Sequence, residues 1–263
     1  RRRVCFPGST AGRLYGDGDG PQGYYSTGDI DGGDFNTIAV ALVSGVDSTG
    51  NDFLDAEMFT PVINKAFVGA TEPDLTGNFQ VTYEVTVQNT NASLGTYDLE
   101  DQPGVDTNIT IWGGTVVVSP ANTTGTLVGA GAYTLATDEP IAAGATHVYT
   151  LVLDAQLGLG VISGTTVISQ CEWVDGQYTF GQGLFNEATI VYGTNVVTTN
   201  TVEGCGDVPP FIVPKKAFVS ATEPDLDGNF QITYQVTVQN TGGSDGTYDL
   251  EDQPGVDTNI TIW

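Results

Sequence analysis

Two acidic runs near the start of the chain carry the residue types that hold a hard cation. Gly16-Asp17-Gly18-Asp19-Gly20 and Asp29-Ile30-Asp31-Gly32-Gly33-Asp34 set carboxylates at alternate positions on a backbone that glycine lets bend. Calcium asks for oxygen donors in such an arrangement, which makes Asp17, Asp19, Asp29, Asp31 and Asp34 its candidate ligands. The runs do not follow the EF-hand pattern, because the closing Glu and the flanking helices are missing. A solvated acidic loop is the competing reading.

The three cysteines form the second reactive group. Cys171 and Cys205 bracket two expected strands, and a disulfide between them would contribute about 3 to 4 kcal/mol through loop closure. Two reduced, buried thiols are the alternative. Cys5 is left over, either to bridge to another chain or to stay free.

Other chemistry is sparse. His147 is the single histidine and falls in the middle of an expected strand, where a structural role outweighs catalysis. No nucleophile elbow, zinc signature or phosphate loop occurs, and no pair of carboxylates stands out for glycoside hydrolysis. No catalytic residue and no required cofactor is expected, calcium being the one candidate ion. Asn91, Asn108, Asn122 and Asn259 fit the N-glycosylation acceptor pattern, conditional on the source.

Charge narrows the partners. Asp and Glu number 32 against 7 Lys and Arg, for a net charge of −25, while hydrophobic residues make up 40%. The chain is therefore expected to fold rather than form an acidic tail. Nucleic acid and anionic membranes need clustered cations and are disfavoured. No apolar run reaches the roughly 18 residues of a membrane span, and Arg1-Arg2-Arg3-Val4-Cys5 lacks the features of a signal peptide, as if a leader had been removed.

The elements that position these residues emerge from a repeat. Lys65 to Trp112 returns without a gap at Lys216 to Trp263, 151 positions later, with differences only at positions 69, 76, 81, 84, 91, 92 and 94. These changes, among them Asn91-Ala92 to Gly242-Gly243, read as surface-loop substitutions. A weaker echo links Phe35-Asn36-Thr37-Ile38-Ala39-Val40 to Phe185-Asn186-Glu187-Ala188-Thr189-Ile190. One period before Cys205 stands Leu54, which leaves Cys5 as a partnerless counterpart of Cys171.

Within the repeat the hydrophobic period is two. Phe79 to Gln88 alternates apolar and polar residues, whereas His147 to Leu153 sets Tyr149, Leu151 and Leu153 on one side and Val148 and Val152 on the other, as on a more buried strand. Further strands are expected at 107–111, 114–119, 126–135, 184–192 and 195–202, with no helical stripe between them. The expected fold is all-β: tandem immunoglobulin-like antiparallel β-sandwiches with a period of about 151 residues. Residues 1–63 form a partial or atypical unit, 64–213 a complete repeat, and 214–263 the first part of another. The proline-rich 206–214 is expected to act as a semi-rigid linker.

Thr82-Tyr83-Glu84-Val85-Thr86-Val87-Gln88-Asn89-Thr90, Tyr97-Asp98-Leu99, Ile141-Ala142-Ala143-Gly144-Ala145-Thr146-His147 and Leu184-Phe185-Asn186-Glu187-Ala188-Thr189 carry a resemblance. Together they resemble a bacterial surface-repeat family, the domain of unknown function number eleven, related to the B-type domains of collagen adhesins. The resemblance implies an immunoglobulin-like or prealbumin-like sandwich in a secreted or surface stalk, adhesin or fibre, and no catalysis. It also implies a cysteine on each side of the Phe-Asn segment, in keeping with a Cys171–Cys205 bond. Collagen-adhesin domains can join a first-strand Lys to a last-strand Asn beside a buried carboxylate. By position the candidates are Lys65, Asn186 and either Glu84 or Asp98; a snorkelling Lys and a hydrogen-bonded Asn are the plainer reading.

The functional expectation is a structural subunit of an extracellular or cell-surface filament, built from copies of itself by strand complementation or as a covalent tandem array. The alternative is an adhesin stalk whose N-terminal tip binds a glycan or another cell-surface ligand with calcium.

Overall fold

A computed structural model of the chain describes residues 24–30, 38, 40, 43–193 and 198–262. Within them the chain is nearly all β. At the N-terminal side β1 (Tyr24–Asp29) pairs antiparallel with β2 (Phe53–Glu57). Then come β3 (Val62–Ala70), β4 (Asn78–Gln88), β5 (Gly95–Pro103), β6 (Ile109–Ser119), β7 (Thr123–Val128), β8 (Tyr133–Ile141) and β9 (Thr146–Leu157). A single helical turn, α1 (Leu159–Ile162), leads to the small hairpin of β10 (Trp173–Val174) and β11 (Gln177–Tyr178). The strands β12 (Asn186–Tyr192) and β13 (Thr198–Gly204) follow, and a last hairpin joins β14 (Ile212–Ala221) to β15 (Ile232–Asn240).

Two antiparallel sheets enclose the main core. One has five strands in the order β3-β4-β9-β6-β7, the other four in the order β13-β12-β5-β8. The alternation read in the sequence decides what each sheet buries. On β4 the residues Phe79, Val81, Tyr83, Val85 and Val87 point inward, while Gln80, Glu84 and Gln88 face water. On β9 Tyr149, Leu151, Leu153 and Ala155 meet them from the neighbouring strand. Tyr97, Leu99 and Ile190 close the core from the opposite sheet, a two-layer sandwich in which each face owes its side chains to the period of the pleat. Tyr83 crosses between layers: its hydroxyl donates to the Leu184 carbonyl oxygen at 2.6 Å.

Strand boundaries differ from expectation at two places. The segments at 107–111 and 114–119 form one strand, β6, which runs through Gly113 and Gly114 with a bulge between Ile111 and Gly113. A Cβ on Gly114 would stand 2.2 Å from the Val152 carbonyl oxygen, so glycine here lets β9 approach rather than ending the strand. The segment at 126–135 is divided between β7 and β8, which belong to different sheets.

The two copies of the long repeated phrase start alike. The β3–β4 hairpin pairs Lys65 with Val85 and slips register between Phe67 and Gly69; the β14–β15 hairpin pairs Lys216 with Val236 and slips between Phe218 and Ser220. They differ in what covers them. Residues 246–254, the copy of β5, make no strand ladder.

Candidate functional site

The parity that fills the core also places three polar side chains in it. Lys65 follows Ile63 on the inward side of β3, Asp101 follows Tyr97 and Leu99 on the inward side of β5, and Asn186 opens the inward row of β12. All three are buried. Asp101 stands between the other two: Lys65 Nζ donates to its Oδ2, and Asn186 Nδ2 donates to its Oδ1 at 2.9 Å. Asn186 Oδ1 is buried without a partner. Lys65 also lies over the Tyr83 ring, 5.2 Å from its centre.

Burial sets the protonation of this group. Desolvation lowers the pKa of Lys65 against the opposing charge of Asp101, and desolvation raises that of Asp101 against the opposing charge of Lys65. Both shifts favour a neutral amine beside a protonated acid. A neutral lysine is a nucleophile, and a buried carboxylic acid is a proton donor to a carbonyl. Turning the Asn186 amide over about its last bond would bring its orphaned Oδ1 to Asp101. Attack of Nζ on Asn186 Cγ would then release Nδ2 as ammonia, with the two amine hydrogens and the acid proton accounting for the new amide N–H, the ammonia and the restored acid.

The expected carboxylate is corrected here. Glu84 faces solvent on β4, and Asp98 lies on the outward parity of β5, where its Oδ1 accepts from the Asp138 backbone N–H at 2.6 Å. Neither reaches the core. The alternation Tyr97-x-Leu99-x-Asp101 was the available signal, and so was the identity of Asp252 with Asp101 where Glu84 gives way to Gln235.

In the second copy the same pair is in contact. Lys216 Nζ donates to Asp252 Oδ1, and Lys216 lies 4.6 Å from the centre of the Tyr234 ring. Both charged side chains are exposed. Around them the face is open: Tyr248 is 55% exposed where Tyr97 is 2%, and Leu250 is 53% where Leu99 is 0%.

A built junction holds the last hairpin against the sandwich. The Ile168 N–H donates to the Thr241 carbonyl oxygen at 3.1 Å, Thr241 Oγ1 donates to the Val161 carbonyl oxygen at 3.0 Å, and Gln170 Nε2 to that of Gly243 at 2.6 Å. Lys215 Nζ donates to the Gly164 carbonyl oxygen at 3.0 Å. Val208, Phe211 and Val213 of the expected linker are buried, so the segment is packed rather than free-standing. The glycine pair in the second copy has a reason here. A Cβ on Gly242 would fall 2.2 Å from the Pro209 carbonyl oxygen, which excludes the asparagine found at position 91. Sequence reasoning took that change for surface variation.

Cys171 and Cys205 form a disulfide with their Cα atoms 6.0 Å apart. It ties the segment before the β10–β11 hairpin to the end of β13. Asp207 Oδ1 accepts from the Cys171 N–H at 2.7 Å on the same side. His147 Nδ1 lies 2.8 Å from the Tyr97 hydroxyl, which in turn lies 2.8 Å from that of Tyr149.

The remaining candidates are scattered. Cys5, Asp17, Asp19, Asp31 and Asp34 lie outside the described residues, and Asp29 ends β1. Among the described residues no three of His, Cys, Asp and Glu gather as metal ligands would. Asn122 is exposed in the β6–β7 turn. Asn91, Asn108 and Asn259 use their amide groups as donors, to the Met58 carbonyl oxygen, Asp106 Oδ1 and Asp257 Oδ1. No helix among the described residues is long and apolar enough to cross a membrane.

No known family profile matches the chain, and no curated protein does. Among solved structures the chain is similar to a crystallised variant of BcpA, the major pilin subunit of Bacillus cereus. The match has 13% identity and a TM-score of 0.35, over 84% of this chain and 68% of that one.

Proposed function

We propose that the chain is a structural subunit of an extracellular or cell-surface fibre. In this reading 64–213 is a complete immunoglobulin-like repeat, 214–263 begins the next, and residues 1–63 end the one before. The observation that carries it is the repeat itself: Lys65 to Trp112 returns at Lys216 to Trp263, and both copies open on a hairpin of the same register, Lys65 opposite Val85 and Lys216 opposite Val236. Such repeats add end to end, through a neighbour's strands or along one longer polypeptide. Contacts of this kind use different surfaces on the two partners and so propagate head to tail.

Three features support a load-bearing, external role. The Cys171–Cys205 disulfide suits an oxidising compartment. The net charge of −25 opposes nucleic-acid binding. Lys65 and Asn186 both bond one carboxylate from opposite sheets, which supports an amide between them that would lock the sandwich.

Two measurements test the reading. Electron microscopy of the purified chain is expected to show regular fibres, and intact-mass spectrometry a deficit of about 17 Da, one ammonia, beyond that of the disulfide. Dispersed particles at every concentration would overturn the fibre. A full intact mass would remove the amide lock.

A further inference from the structure

The β6–β7 hairpin ends the five-stranded sheet, and its outer strand is unguarded. β7 pairs with β6 from Val118 opposite Thr123 to Gly113 opposite Val128, and among the described residues no strand lies on its other side. An open edge offers its backbone groups to any extended chain, which is why natural edges are commonly blunted by charge or proline. The β8 edge of the other sheet carries Asp138, Glu139 and Pro140. β7 reads Thr123-Thr124-Gly125-Thr126-Leu127-Val128 and has neither.

Asn122 stands immediately before this strand, and Asn122-Thr123-Thr124 is one of the four matches to the N-glycosylation acceptor pattern. The fold separates the four. A transferring enzyme must take hold of the amide nitrogen and of the hydroxyl two residues on, so both must be free of the protein. Asn91 is held at both ends of its amide: Oδ1 accepts from the Thr60 N–H at 2.9 Å, and Nδ2 donates to the Met58 carbonyl oxygen at 3.2 Å. Asn108 Nδ2 donates to Asp106 Oδ1 at 2.9 Å and Asn259 Nδ2 to Asp257 Oδ1 at 2.8 Å, the same closed turn in both copies. Asn122 and Thr124 are exposed, and neither side chain bonds another group among the described residues. With a φ of 52°, Asn122 turns the chain in the left-handed region, which asparagine enters more readily than most residues.

We propose that Asn122 is an N-glycan acceptor and that its glycan covers the β7 edge. This rests on the external location in the reading above, and not on the fibre. The donor is an oligosaccharide linked through C1 to a polyprenyl phosphate or pyrophosphate, presented by an oligosaccharyltransferase. Asn122 Nδ2 attacks C1, the C1–O bond to phosphate breaks, the lipid phosphate leaves, and one amide proton passes to a base of the enzyme. Nothing is oxidised or reduced. A bulky, hydrated group attached just before Thr123 then stands between the β7 backbone and other strands.

The test is transfer to the folded full chain by an oligosaccharyltransferase with its lipid-linked oligosaccharide, mapped by peptide mass spectrometry. A free peptide of residues 119–126 serves as the positive control. One glycan, at Asn122, is expected. Asn122→Gly suits the positive φ and Thr124→Val suits a strand, so both variants should fold as before and accept no glycan. An unmodified chain beside a modified control peptide overturns the proposal, as does transfer to Asn91, Asn108 or Asn259 as great as that to Asn122. Chain isolated from its natural source should carry a glycan at the same residue, and an unmodified Asn122 there overturns the proposal too. Light scattering tests the covering: particle size should grow with concentration more for the unmodified chain than for the modified one, and equal growth overturns that role. Site mapping reads the glycan and electron microscopy reads the fibre, so either can fail alone.

Discussion

Tyr83 and Tyr234 occupy the same place in two copies of one phrase, 151 positions apart, yet Tyr83 is fully buried and Tyr234 is 46% exposed. Each lies under the corresponding lysine. The difference comes from their surroundings: Tyr83 is flanked by β9 and reaches the Leu184 carbonyl oxygen, whereas among the described residues β15 pairs with β14 alone.

The Lys65–Asn186 amide would close a loop of about 120 residues and contribute about 4 to 5 kcal/mol in the chain-entropy account. Asn186→Ala should restore the full intact mass and lower unfolding free energy by about that amount in a denaturant titration. Asp101→Ala should also block the bond, and it leaves the buried Lys65 amine and Asn186 amide without their shared hydrogen-bond partner, at about 1 to 3 kcal/mol for each group.

The disulfide closes a loop with a sequence separation of 34. Replacing Cys171 and Cys205 together by Ser should lower stability by about 3 to 4 kcal/mol. Unfolding of the intact protein with and without reductant should show a shift of the same size, and the double variant should show none.

Gly242→Asn, which installs the residue of the first copy, should open the junction. With a Cβ 2.2 Å from the Pro209 carbonyl oxygen, the Thr241–Gly243 segment cannot keep its bonds to Val161, Ile168 and Gln170. Limited proteolysis within 206–214 should accelerate about tenfold or more, since cleavage follows the population of the opened state. The melting of the sandwich itself should hardly move.

The alkaline limit of stability is expected from tyrosines. Burial raises the pKa of Tyr83, of Tyr97, whose hydroxyl also bonds Tyr149, and of Tyr149, and pushes Tyr133 up to about 12. A folded pKa above the unfolded value of about 10 means that the contribution is complete below that pH and is lost as pH rises through the folded values. Melting temperature should therefore fall above about pH 10, and Tyr97→Phe should make the fall shallower.

At the acid end Asp106 behaves oppositely. Desolvation pushes its pKa up, but hydrogen bonds from Ser169 and Asn108 together outweigh this and hold it below the ordinary carboxylate value. Its contribution is present above the unfolded pKa of about 4 and disappears as pH falls through the folded one. Asp106→Asn should flatten the acid limb of the stability curve below about pH 4.

Much of the sandwich was legible from residues alone. Side chains of an extended chain alternate between faces for local steric reasons, so Phe79, Val81, Tyr83, Val85 and Val87 were bound to share one side of β4. The same local rule puts Asp101 with Tyr97 and Leu99 and turns Glu84 and Asp98 away, although spacing along the chain had drawn attention to the wrong pair. Gly242 was illegible because its reason is a carbonyl 33 residues earlier in the chain.

Sequence by itself determined the period, the inward rows and which residues could react. Tertiary structure alone decided which of them meet: Lys65 and Asp101 lie 36 residues apart and Asp101 and Asn186 lie 85 apart. Parity is a property of one strand, but contact requires that β12 lie beside β5 and that β3 face them from the other sheet. In the matching phrase at 216–262 the described residues pair as the β14–β15 hairpin, and Tyr248 and Leu250 stand exposed where Tyr97 and Leu99 are buried.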